Sequence, residues 1–161
     1  MYFWAVFFHL IFVAFWLGGM LFTVAVLVPA TRVKLKSNKG LLFKELGTRF
    51  SRISWILFIL LLLTGTLALL GKGFSFETLL SVEFWQTRYG NRLKLKLYTF
   101  SFVLIFSALH DFWLGPKAAE LMNNKPNHSQ TTYYRRASRW IGRINLVLGL
   151  LILFWAVGLV R

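Results

Sequence analysis

Cysteine is absent from the 161 residues, which removes disulfides, thiolate metal sites and redox thiols from consideration. Acid is scarce as well. Five carboxylates (Glu45, Glu77, Glu83, Asp111 and Glu120) face 19 lysines and arginines, for a net charge of +14. Three histidines cannot provide the four axial ligands of a di-haem cytochrome. The three methionines, Met1, Met20 and Met122, form no cluster, so the soft donors that cuprous ion prefers are thin. Neither a basic n-region nor a small-residue cleavage motif marks a cleavable signal at the N-terminus. The absence with the largest consequence is local: Met1 to Thr31 holds no Asp, Glu, Lys or Arg.

What is present explains that absence. Hydrophobic residues make up 57 % of the chain and come in blocks, with the charges confined to separate blocks between them. That is the pattern of a polytopic membrane protein. We expect an all-α, single-domain (residues 1–161) integral membrane four-helix bundle with spans at about 3–29, 53–71, 96–115 and 142–160. Once the spans are removed, no basic or stacking module is left for nucleic acid, so the positive charge serves topology and anionic lipid.

The connection Arg32 to Arg52 carries seven basic residues against Glu45, and Gly115 to Arg143 carries six against Glu120. Lys72 to Lys96 carries five with two glutamates. The positive-inside rule then puts the first and third connections in the cytoplasm and both termini outside, in a prokaryotic inner membrane. Lys34 to Gly40 reads as a basic turn, Leu41 to Phe50 as an interfacial amphipathic helix, and Phe74 to Arg92 as an aromatic interfacial loop. Asn123 to Thr132, with Pro126, reads as a surface loop, and its Asn127-His128-Ser129 sequon as chance.

Few polar groups lie in or beside the spans: His9, Lys96 and the pair His110-Asp111. An intramembrane ionisable group faces a bundle interior and needs a partner. Helices one and three run in the same direction, so His9 and Lys96 share a depth. Lys96 and His110 lie on nearly one helix face, with Val103 and Ser107 between them, but about 21 Å apart along the axis. His9 is therefore expected to meet Lys96 rather than His110, which disfavours a bis-histidine haem. A single haem ligated by His9 stays open, with Lys96 as second ligand or as partner of a propionate or substrate carboxylate. Phe12, Trp16 and Gly19 would form a slot beside the macrocycle. Simpler readings stand beside each of these. His9 bonds a serine or carbonyl across the bundle, Lys96 snorkels, and Gly18-Gly19 marks close packing. His110-Asp111, followed by Gly115-Pro116, marks a helix end.

His9, Trp16-Leu17-Gly18-Gly19 and Pro29 resemble the first helix of the copper-resistance D (CopD) family. Arg49-Phe50 with Thr64-Gly65 resembles its second helix, and Tyr89-Gly90, Leu93 and Lys96 its third-helix entry. The chain is also similar to the HemJ-type protoporphyrinogen oxidases of the same superfamily. That resemblance implies haem ligation by His9, a functional role for Lys96, and a fourth-helix pair at Arg143 and Asn145. The tyrosine-histidine pattern those oxidases show after the proline is missing here, and no proline follows Asn145. The expected function is a haem b-binding redox protein, carrying electrons or oxidising a quinol or porphyrinogen, alone or with a redox partner or second copy. In that scheme Lys96, His110 and Asp111 carry the chemistry, the last two as a separate inner-side polar site for protons. A CopD-like copper transport module and a non-catalytic membrane subunit are the alternatives.

Overall fold

A backbone surrounded by lipid must satisfy its own hydrogen bonds, and a helix does so within one segment. The structure, a computed structural model, describes residues 1–33, 39–124 and 128–160, and all regular structure among them is helical. The elements are α1 (Tyr2–Phe22), a π turn (Thr23–Leu27), α2 (Val28–Val33), α3 (Lys39–Gly71), α4 (Phe76–Leu80) and α5 (Val82–Gln86). They continue with α6 (Arg88–Leu109), a second π turn (His110–Leu114), α7 (Gly115–Asn124) and α8 (Ser129–Val160). Four stretches are long and apolar enough to cross a membrane: Tyr2–Thr31, Glu45–Gly71, Arg88–Leu121 and Ser129–Leu159.

These helices outrun the charge-free runs because lysine and arginine carry long aliphatic stems that can lie along a helix as it leaves the bilayer. Leu41 to Phe50 is continuous with α3 rather than a separate interfacial helix, and Glu45 pairs with Arg49 one turn on, at 2.7 Å. The aromatic connection folds into the short helices α4 and α5. The polar loop expected over Asn123 to Thr132 is shorter, since α8 begins at Ser129. The turn expected over Lys34 to Gly40 lies largely outside the described residues.

Two compact units divide the chain, Met1–Ser81 and Val82–Arg161. In the first, α1 packs on α3 around Trp16, Leu17, Leu57, Phe58 and Leu61, with the Trp16 ring edge-on to Phe58 at 5.5 Å. Lipid removes the hydrophobic drive between helices, so close backbone approach and hydrogen bonds must hold them. Glycines supply that approach: Gly19 lies against the Phe50 ring, and Gly71 against the backbone of Tyr2. In the second unit α6 packs on α8, with Val103 and Thr131 almost wholly enclosed. Large apolar side chains such as Phe3 and Phe154 point outward, as lipid contact requires.

Arg92 of α6 donates from Nη1 to the carbonyl of Gly158 near the C-terminus of α8, where helix carbonyls lack partners and carry partial negative charge. Arg92→Ala should cost about 1–2 kcal/mol, the range for a charge-assisted bond at a helix end. Denaturant unfolding in detergent, with faster amide exchange confined to the end of α8, would register it.

The two π turns have one cause. Proline has no N–H, and its ring collides with the carbonyl four residues back. Pro29 and Pro116 each stand two residues beyond a π turn, and there the bond lengthens to five residues, Val28 N–H to Thr23 O and Gly115 N–H to His110 O. The wider turn moves the offending carbonyls, those of Ala25 and Phe112, away from the ring. Gly115-Pro116 therefore does not end the helix, as the sequence suggests, but is absorbed and followed by α7.

The turns also share a spacing. They start 87 residues apart (110 − 23), and the same offset carries Pro29 onto Pro116, Tyr2 onto Tyr89, Gly71 onto Gly158 and His9 onto Lys96. It carries Arg49-Phe50-Ser51-Arg52 onto Arg136-Ala137-Ser138-Arg139 as well. Each unit is thus one copy of a helix–π turn–helix hairpin, repeated without a gap.

Candidate functional site

His9 sits on the third turn of α1, half-buried within the first unit. Its Nδ1 lies 2.9 Å from Thr64 Oγ1 on α3, and Thr64 Oγ1 lies 2.7 Å from the carbonyl of Leu60. A hydroxyl has one proton and a carbonyl none, so both bonds form only if Thr64 donates to Leu60 and accepts from His9. In that arrangement a neutral imidazole carries its proton on Nδ1 and its lone pair on Nε2. Gly65 makes room for this placement, since a Cβ there would lie 3.4 Å from His9 Cε1.

Residues expected to line a slot beside His9 are engaged in packing. Trp16 is buried on Phe58, Gly19 abuts Phe50, and Phe12 stacks on Phe8 at 6.2 Å. Lys96 belongs to the second unit, half-buried on α6 in the face that continues through Thr99, Val103, Ser107 and His110.

Two polar rungs join that face to α8. In one, Asn145 Nδ2 donates to Ser107 Oγ at 3.1 Å, both side chains buried, and Asn145 Oδ1 has no hydrogen-bond partner among the described residues. In the other, within the second π turn, His110 Nδ1 is 2.8 Å from Asp111 Oδ1 and Nε2 is 2.9 Å from Ser138 Oγ. Arg143 is exposed and stacks over the Trp140 ring at 5.1 Å, apart from the buried Asn145 it was grouped with.

Three partners escaped the sequence reading. In the sequence Thr64 stands out as part of a motif, not as the holder of His9. Ser138 lay in a stretch read as basic connection, although the repeated Arg-x-Ser-Arg was there to be seen. The pairing of Ser107 with Asn145 needed the α6–α8 register. Among the described residues no group of three or more His, Cys, Asp or Glu could hold a metal ion.

Comparison with known proteins adds the family. Residues 44–159 match the family model described as CopD, copper resistance protein D. A relative from Aquifex aeolicus (strain VF5), described as an uncharacterized protein, is 32 % identical over 152 residues, covering 94 % of this chain and 90 % of its own. No solved structure matches. With four membrane-length helices and a family match across most of its length, this chain is an integral membrane protein that belongs to the CopD family.

Proposed function

We propose that this protein binds haem b and serves membrane redox chemistry, with His9 as the residue that would hold the iron. The observation that carries the reading is the chain from His9 Nδ1 through Thr64 Oγ1 to the Leu60 carbonyl. Histidines that bind metals donate their other ring N–H to an oxygen, which sets the tautomer and aims the ring. The donor set supports haem over a bare ion. Copper held by side chains alone needs several soft or imidazole donors converging, whereas haem iron arrives with four nitrogens and asks the protein for one or two more.

Lys96, which the 87-residue offset matches to His9 in sequence, is a proposed functional residue of the second unit. Arg143 and Asn145 are further candidates for cofactor contact. Bound there, the haem would supply one-electron transfer, and a quinol- or porphyrinogen-like molecule is the proposed reductant class. The family description, copper resistance protein D, favours a second reading, a copper transport module.

One measurement separates them: an absorption spectrum of detergent-purified protein, reconstituted with hemin, before and after dithionite. Haem binding predicts a Soret band and an α band that sharpens on reduction. His9→Ala should lose both and Lys96→Ala shift or lose them. A colourless protein with stoichiometric copper would transfer the assignment to the transport module, and a colourless, metal-free one would leave a packing subunit.

A further inference from the structure

We propose that α8 carries a binding site for one anionic phospholipid, with the headgroup phosphate on Arg143 and Arg139 and an acyl chain along the groove from Trp140 to Leu148. The site belongs to the second unit and needs no cofactor. The groove is open and lined by Trp140, Arg143, Ile144, Val147 and Leu148. These positions recur at three- and four-residue intervals, so they form one stripe along the helix. Trp140 and Val147 are exposed, whereas Asn145 and Ile152, on the other side of α8, are buried.

A basic helix end attracts anionic lipid diffusely, without a site. The depth of Arg143 is what sets this one apart. The 87-residue offset carries Arg49 and Arg52 onto Arg136 and Arg139, and these two arginines of the first unit precede the charge-free run that starts at Ile53. The same offset carries Ile53 onto Trp140 and Ile56 onto Arg143. The second unit thus sets a guanidinium inside a stretch that the first keeps free of charge. Ile56 is 59 % exposed, as a side chain turned to lipid should be. Topology asks only for basic residues outside the span, which Arg136 and Arg139 already provide. A charge placed deeper needs a counter-charge.

The described residues do not supply one. Arg135, Arg136, Arg139 and Arg143 are all exposed, and none has a carboxylate partner among the described residues. The acids of the neighbouring elements are engaged, Asp111 with His110 and Glu120 with Lys117. Arg143 instead lies over the Trp140 ring, 5.1 Å from its centroid. A guanidinium can stack on an indole and still present its N–H fork edgewise to a phosphate. This stack turns Arg143 back along α8 toward Arg139 and leaves the wall of Ile144, Val147 and Leu148 uncovered. Arg139 is steadied as well, its Nε donating to the Arg135 carbonyl at 3.2 Å, which leaves its terminal amines for a ligand. Cations, an indole and a hydrocarbon wall follow one another along the helix in the order of phosphate, glycerol and acyl chain in a lipid. A zwitterionic lipid brings its own ammonium to the phosphate, so an all-cationic site selects a headgroup of net negative charge.

The test is native mass spectrometry of the full-length protein released from micelles holding equal parts of a phosphatidylglycerol and a phosphatidylcholine. One phosphatidylglycerol should stay bound per chain. Arg143→Gln should lower its occupancy about five-fold or more, the worth of one cation at an anionic lipid surface. Arg49→Gln, in the basic entry of the first unit, should leave it unchanged. A phosphatidylglycerol brominated on its acyl chain should quench the tryptophan emission of wild type more than that of Trp140→Phe. Equal losses from Arg143→Gln and Arg49→Gln would overturn the site in favour of diffuse attraction. Release of the lipid by an equal concentration of inorganic phosphate would overturn it in favour of a free-anion site. Equal retention of the two lipids by wild type would overturn it too, and that result stands even if Arg143→Gln does not fold.

Discussion

Thr64→Val is expected to weaken hemin binding about ten- to a hundred-fold, the usual cost of removing the group that orients a metal-binding imidazole. Valine matches threonine in shape, so α3 and its packing persist and only the oxygen 2.9 Å from His9 Nδ1 is lost. The ring is then free to take either tautomer and to rotate. Only one of those states presents Nε2, and the population that can ligate iron falls. His9→Ala should abolish binding outright, and Thr64→Ser, which keeps the oxygen, should restore most of what valine loses. Titration of apoprotein with hemin, followed at the Soret maximum, measures all of these. If valine left the affinity unchanged, Thr64 would be a packing partner and the ligand assignment would lose its main support.

Gly90→Ala should cost about 3 kcal/mol or more, at the upper end for overpacking, because the obstacle is backbone rather than a movable side chain. A methyl at this position would run into the carbonyl of Phe84 and rest 3.0 Å from Trp85 Cα. The corner between α5 and α6 cannot swing open cheaply. Thr87 caps α6 by accepting the Gly90 N–H at 3.0 Å, and its own hydroxyl donates back to the Phe84 carbonyl. Gly18→Ala is the control. No described residue lies within 4 Å of a Cβ there, so the helix preference for alanine, about 1 kcal/mol, should appear as a small gain. Unfolding in mixed micelles would rank the two variants. Equal midpoints for Gly90→Ala and wild type would mean the corner is looser than its contacts imply.

The readings that held and those that changed differ in kind. Spans were legible because hydrocarbon excludes charge, and that exclusion acts on each segment separately. Their ends were not, since the stems of lysine and arginine let a helix continue past its last apolar residue. Gly115-Pro116 is a sound stop signal in isolation, yet the helix passes through it by widening one turn. The repeat was written in Pro29 and Pro116 and in two Arg-x-Ser-Arg segments, but scattered identities in a leucine- and phenylalanine-rich chain carry little weight until two π turns fall at the same offset.

From its residues alone this protein was bound to be helical, to lie in a membrane and to keep its few ionisable groups at His9, Lys96 and His110-Asp111, because each is a local consequence of moving side chains between water and lipid. Which hydroxyl each imidazole meets was decided only by the tertiary fold. Thr64 lies 55 residues from His9 and Ser138 28 from His110, and such partners are chosen by the register of packed helices. That register depends on where glycine lets two backbones come close and on where proline forces a turn to widen. Both effects belong to a pair of helices or to a bend, and neither can be read from one segment's hydropathy.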